Sequence, residues 1–136
     1  MITVPIHVVF PRKTKKDVKK YMSLNTYRNA HHILLWERKT RYHDSVAPLV
    51  EKNRRVSRLQ NGIYKLDYTY YWLKTNSDLG NIHAVVSKFF EDILVSTGTI
   101  PDDNIKNITA VSYSYGGTVE KWFDWFCSIE LIPCRE

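Results

Sequence analysis

Cysteine, glycine and proline are all scarce in this chain. Two cysteines, Cys127 and Cys134, cannot build a disulfide framework or a four-ligand zinc centre by themselves. They are expected as reduced thiols of a cytoplasmic protein. Five Gly and five Pro among 136 residues exclude collagenous and low-complexity chains. No apolar run approaches the roughly 20 residues that cross a bilayer. Residues 2–10 lack a basic leader and are broken by Pro5 and His7, so no signal peptide is expected and no membrane partner either. What is plentiful is apolar and aromatic side chain, 43% and 13% of residues, which is too much for disorder at a net charge of +6. The length suits one core, so residues 1–136 are read as a single domain.

Acidic residues are thin in the first half. Residues 11–58 hold fourteen Lys and Arg against four Asp and Glu, a net of +10, and residues 65–136 hold six against ten, a net of −4. A basic region suits a polyanion, because neutralised phosphates release counterions and favour binding. A solvated surface is the plainer reading of either charge run. Within the basic half, residues 11–26 read as a loop, where Arg12, Lys13, Lys15 and Lys16 serve either solubility or phosphate contact.

Periodicity supplies the elements. Residues 2–10 predict a first strand. Ala30, Ile33, Leu34, Leu49 and Val50 predict a helix over about 28–50, with Pro48 marking a kink or an end. Tyr64, Leu66, Tyr68, Tyr70 and Trp72 alternate with polar residues, which predicts a strand over 63–73 whose aromatic face belongs to the core. Ile82, Val85, Val86, Phe89, Phe90, Ile93 and Leu94 form one apolar stripe at helical spacing, with Gly98 as its stop. Residues 108–115 and 121–132 predict two more strands. The expected class is α/β (α+β): a small mixed β-sheet packed with two main helices.

Three acids fall at chain reversals: Asp78 before the striped helix, Asp102 and Asp103 after it. If a strand–helix–strand unit set both turns at one end of the sheet, the three would need a cation between them. Oxygen ligands select Mg²⁺ or Mn²⁺, and such an ion can activate water against a phosphodiester. The same Pro-Asp-Asp-Asn is also a good turn sequence. Lys88 shares a helix flank with Asn81, about 10 Å further along the axis; it is either a surface lysine or a stabiliser of phosphate charge.

The segments Asp78-Leu79-Gly80-Asn81, Lys88-Phe89-Phe90-Glu91-Asp92-Ile93-Leu94 and Gly98-Thr99-Ile100-Pro101-Asp102-Asp103-Asn104 together resemble the RusA family of Holliday-junction resolvases. That pattern is Asp-x-Asp-Asn, a helix carrying a lysine, then Asp-Asp opening a strand. Leu24-Asn25-Thr26-Tyr27-Arg28-Asn29 and the basic segment after Pro11 resemble its phage-borne branch. The resemblance runs over most of residues 2–117. It implies a small homodimeric endodeoxyribonuclease of DNA recombination and repair, acting on branched DNA with Mg²⁺ or Mn²⁺ in the bacterial host cytoplasm. Asp78, Asp102 and Asp103 would be catalytic and metal-binding, Lys88 catalytic, and Asn25, Tyr27, Arg28 and Asn81 would join the basic loop in binding DNA.

The sequence departs from that pattern at Gly80, which stands in place of the second acid; water, or Asp67 on the polar side of the preceding strand, is the expected substitute. Gly80 also opens a second reading, a catalytically weakened relative that binds DNA or a host DNA-repair or recombination protein and blocks or redirects it. A third is a DNA-binding module without metal. Residues 62–64 echo half of a GIY-YIG nuclease motif with no second half, and His31-His32 lacks a third ligand at metal spacing.

Overall fold

The computed structural model describes residues 1–10, 18–21, 32–57, 62–72, 78–119 and 125–134. Among these residues, six strands and two helices follow in order: β1 (Ile2–Pro5), β2 (His7–Phe10), β3 (Val18–Tyr21), α1 (His32–Val56), β4 (Tyr64–Tyr71), α2 (Leu79–Ser96), β5 (Ile108–Gly117) and β6 (Phe126–Pro133). Four strands make a mixed sheet in the order β1-β6-β4-β5; β4 runs antiparallel to β6 and parallel to β5. Strands β2 and β3 form a separate antiparallel hairpin. The fold is α+β, with a small mixed sheet and two helices.

The alternation in β4 sets the layers. Tyr64, Leu66, Tyr68 and Tyr70 are buried, and so are Ile2 and Val4 of β1 and Cys127, Ile129 and Leu131 of β6. These side chains share one sheet face, because residues two apart along a strand point the same way. Both helices cover that face. Every residue of the predicted stripe on α2 is buried, and the Phe90 ring stands edge-on to Tyr68 at 6.1 Å. Tyr42 of α1 meets Phe89 at 5.8 Å and donates its hydroxyl to the Pro5 carbonyl at 2.9 Å. The aromatic row of β4 is therefore core.

Three readings differ from those predicted. Val18–Tyr21, inside the loop expected over 11–26, form strand β3. The first strand is two strands: the chain leaves the main sheet at Ile6, buried at the junction, and β2 pairs with β3 instead of β6. Helix α1 continues through Pro48 to Val56. Proline removes the amide that would bond the Asp44 carbonyl, and Asp44 and Pro48 are both exposed, so water can take that carbonyl. Arg54 and Arg55 occupy the last turn, where positive charge suits the helix dipole, and Arg54 Nη1 donates to the Thr97 carbonyl at 2.8 Å. That bond ties the ends of the two helices together.

Both cysteines are free. Cys127 is wholly buried, and burial pushes its thiol up to about 12. Cys134 is half-buried, with its sulfur 3.5 Å from Thr109 Oγ1. Among the described residues, no helix is long and apolar enough to cross a membrane.

Candidate active site

The expected site residues flank α2. Asp78 is its N-cap: Oδ1 accepts from Gly80 N at 2.9 Å and from Asn81 N at 3.4 Å. The first amides of a helix have no partner within it, and a carboxylate satisfies them while matching the positive end of the dipole. A Cβ on Gly80 would lie 3.4 Å from Asp78 Oδ1 and 3.9 Å from the Tyr113 hydroxyl, both ordinary contacts. Glycine is thus not demanded by the backbone here; a Cβ finds room beside Asp78.

One turn further in, His83 is buried under aromatic rings. Tyr113 stacks on it with centroids 4.0 Å apart, and Tyr70 Oη lies 2.6 Å from its Nδ1. Burial lowers the imidazole to about 4, so it is neutral at pH 7.

The other end of α2 is acidic. Asp102 Oδ1 accepts from the Asp103 amide at 2.8 Å, and its Oδ2 from Asn104 Nδ2 at 3.2 Å. Asn104 Oδ1 in turn accepts from Lys106 N and Asn107 Nδ2. The Pro-Asp-Asp-Asn segment is thus a self-bonded turn that delivers the chain into β5. Asp102 and Asp103 are both exposed. Half-buried Glu91 is pushed up to about 7, first by burial and then by the charges of Asp103 and Asp92; Lys88 opposes the rise. Asp92 also faces Lys39 across the helix pair, at 3.8 Å.

These two ends do not meet. In a parallel β4–α2–β5 crossover the helix returns the chain from the end of one strand to the start of the next, so its two junctions lie at opposite ends of the sheet. The Gly62 amide donates to the Thr99 carbonyl at 3.3 Å, and Tyr64 stands opposite Ile108, which fixes the second junction beside the start of β4. Asp78 and Glu91 are separated by thirteen residues of helix, about 20 Å of rise. The expectation that both turns share one end is corrected accordingly. Lys88 acts on Glu91, on the Asp103 side.

Asp67 cannot stand in for the absent acid. It belongs to the row of β4 that points away from the helices, and its Oδ1 accepts from Ser112 Oγ of β5 at 2.8 Å. Among the described residues, no three His, Cys, Asp or Glu side chains are placed to share an ion. Asp78, Asp102 and Asp103 therefore do not fit as joint ligands of one Mg²⁺ or Mn²⁺ within a chain. Arg12, Lys13, Lys15, Lys16, Asn25, Tyr27 and Arg28 lie outside the described residues; Asn81 is half-buried in the first turn of α2. Sequence reasoning missed Glu91, whose signal was its place one turn after Lys88 at the edge of the apolar stripe.

The chain matches no family model and no curated protein.

Proposed function

We propose that the protein is an endodeoxyribonuclease resembling the RusA family, which nicks branched or otherwise distorted DNA with Mg²⁺ or Mn²⁺. What supports this reading is the family pattern of residues 78–104 together with the basic first half; the acids of one chain stand too far apart to share an ion. Asp78 sits at the first junction of the β4–α2–β5 unit, Asp102 and Asp103 at its second, and Lys88 on the helix between, all of them exposed. Exposed acids at chain junctions are open to a macromolecular substrate, and the basic first half supplies the attraction for phosphates. A homodimer in the cytoplasm of a bacterial host completes the reading.

The test is cleavage of a labelled four-way junction and a matched linear duplex in Mg²⁺, Mn²⁺ and EDTA. Wild type is expected to cut the junction only with metal, and Asp103→Asn to reduce cutting to background while binding survives. Asp103 is the cleaner probe, because Asp102 also holds the turn together. Cutting in EDTA, or full activity in Asp103→Asn, rejects the proposal.

A specific observation favours a second reading, in which the protein is a weakened relative that binds DNA or a host repair or recombination protein and blocks or redirects it. Gly80 removes one acid, and the remaining three are split between the two ends of α2. Since a Cβ fits at Gly80, Gly80→Asp separates the readings: a large gain in nicking marks the natural protein as weakened, and no gain over an active wild type marks it as a competent nuclease.

A further inference from the structure

The main sheet has two edges, and they are built differently. At one edge, β1 is four residues long and ends in Pro5, two features that discourage further pairing. At the other, β5 runs ten residues without a proline or a charged side chain, and residues 109–116 are all exposed. Its inner side pairs with β4, and among the described residues no strand pairs with its outer side. Successive residues of a strand aim their amides and carbonyls alternately to its two sides, so half of those groups face outward. Alternation also sets Val111, Tyr113 and Tyr115 on the helix side. Tyr113 stacks on His83, and the Tyr115 hydroxyl donates to the Trp72 carbonyl at 2.9 Å. The three side chains are nonetheless 40% to 47% exposed, an apolar row covered on one flank only.

We propose that the outer side of β5 pairs antiparallel with β5 of a second copy, across a two-fold axis at Tyr113. The inference rests on the homodimer of the reading above and gives it an interface. Any extended strand would complete the hydrogen-bond ladder, and three observations select this one. The strand matches itself: with Tyr113 opposite its own copy, Val111 faces Tyr115 and Ser112 faces Ser114. Apolar side chains then meet on the helix side and small polar ones on the other. Charge agrees, since a chain of net +6 repels its copy and β5 brings no like charges face to face. Direction agrees as well. The two-fold reverses one copy against the other, so each end of the joined sheet carries Asp78 from one copy and Asp102 and Asp103 from the other. A single chain holds those acids at opposite ends.

Sedimentation velocity without DNA compares wild type, Val111→Lys and Ser114→Lys, which place a lysine on either face of the strand at exposed positions. Wild type is expected to be a dimer at micromolar concentration. Each variant should keep the wild-type circular dichroism and raise the dimer dissociation constant by more than about tenfold. Crosslinking with diamide in a Cys134→Ser background reads the register. Residues paired across antiparallel strands have Cα atoms about 4.5–5.5 Å apart, within disulfide reach. Tyr113→Cys is therefore expected to give a linked dimer, and Ala110→Cys, whose two copies lie about 20 Å apart, to stay unlinked. A dimer that both lysine variants preserve overturns the β5 pairing alone. So does linkage of Ala110→Cys equal to that of Tyr113→Cys. Wild type that stays monomeric overturns the homodimer as well. No DNA is cut in these measurements, so a failure of the interface is distinct from a failure of the nuclease reading.

Discussion

The two ends of α2 treat ionisable groups in opposite ways. Near its start, a carboxylate caps the helix and burial strips the charge from His83. Near its end, burial and neighbouring carboxylates hold a proton on Glu91. Both shifts follow one rule, that a low-dielectric surrounding disfavours the charged form, yet they move in opposite directions because one group is a base and the other an acid. A single helix can thus carry two chemically unlike junctions, kept apart by its own length.

The largest expected effect tests the His83 end. The folded chain protonates His83 only near pH 4, whereas an unfolded histidine takes a proton near pH 6.5. Between these values the unfolded state binds more protons, so His83 makes stability rise with pH and the contribution is lost as pH falls, by up to about 3 kcal/mol. Urea unfolding from pH 7 to pH 4 measures it. A His83→Gln variant should lose that slope, and an unchanged slope would remove His83 as its source.

The cap comes next. Asp78→Ala should cost about 1 kcal/mol, while Asp78→Asn, an equally good cap, should cost only a few tenths. Thermal unfolding of both variants separates structure from chemistry. If Asp78→Asn folds like wild type but no longer cuts, the carboxylate has a role beyond capping.

The smallest effect belongs to Glu91, which is partly solvated and offset by Lys88. Folded Glu91 holds its proton up to about pH 7 and the unfolded residue releases it near pH 4.5, so its contribution declines as pH rises through that window. Glu91→Gln should therefore be the more stable protein at pH 8, with the gain gone at pH 4.5. A gain equal at both values would mean that packing, not charge, is responsible.

Much of this helix was legible beforehand. Seven apolar residues at helical spacing fixed its buried face, whereas Asp78 as its cap was not read. Alternation likewise identified β4 and its core aromatics. Pairing was not legible. Nothing local says that β4 and β5 lie side by side and parallel, and that fact alone separates Asp78 from Asp102. The split at Ile6 was missed although Pro5 stands beside it, because a proline is also tolerated within an edge strand, and β1 is one. Pro48 misled because its cost depends on whether water reaches the freed carbonyl. Glu91 was invisible because burial of an acid is a property of packing.

The contrast between the two thiols makes the chain its own stopwatch. Cys127 sits at the centre of the sheet with its sulfur sealed and unionised, and Cys134 lies at the rim one residue beyond the end of the same strand. A thiol reagent will mark Cys134 from the folded state, whereas Cys127 must wait until β6 parts from its neighbours. The interval between the two modifications times the opening of the central strands, with no residue of the protein changed beforehand.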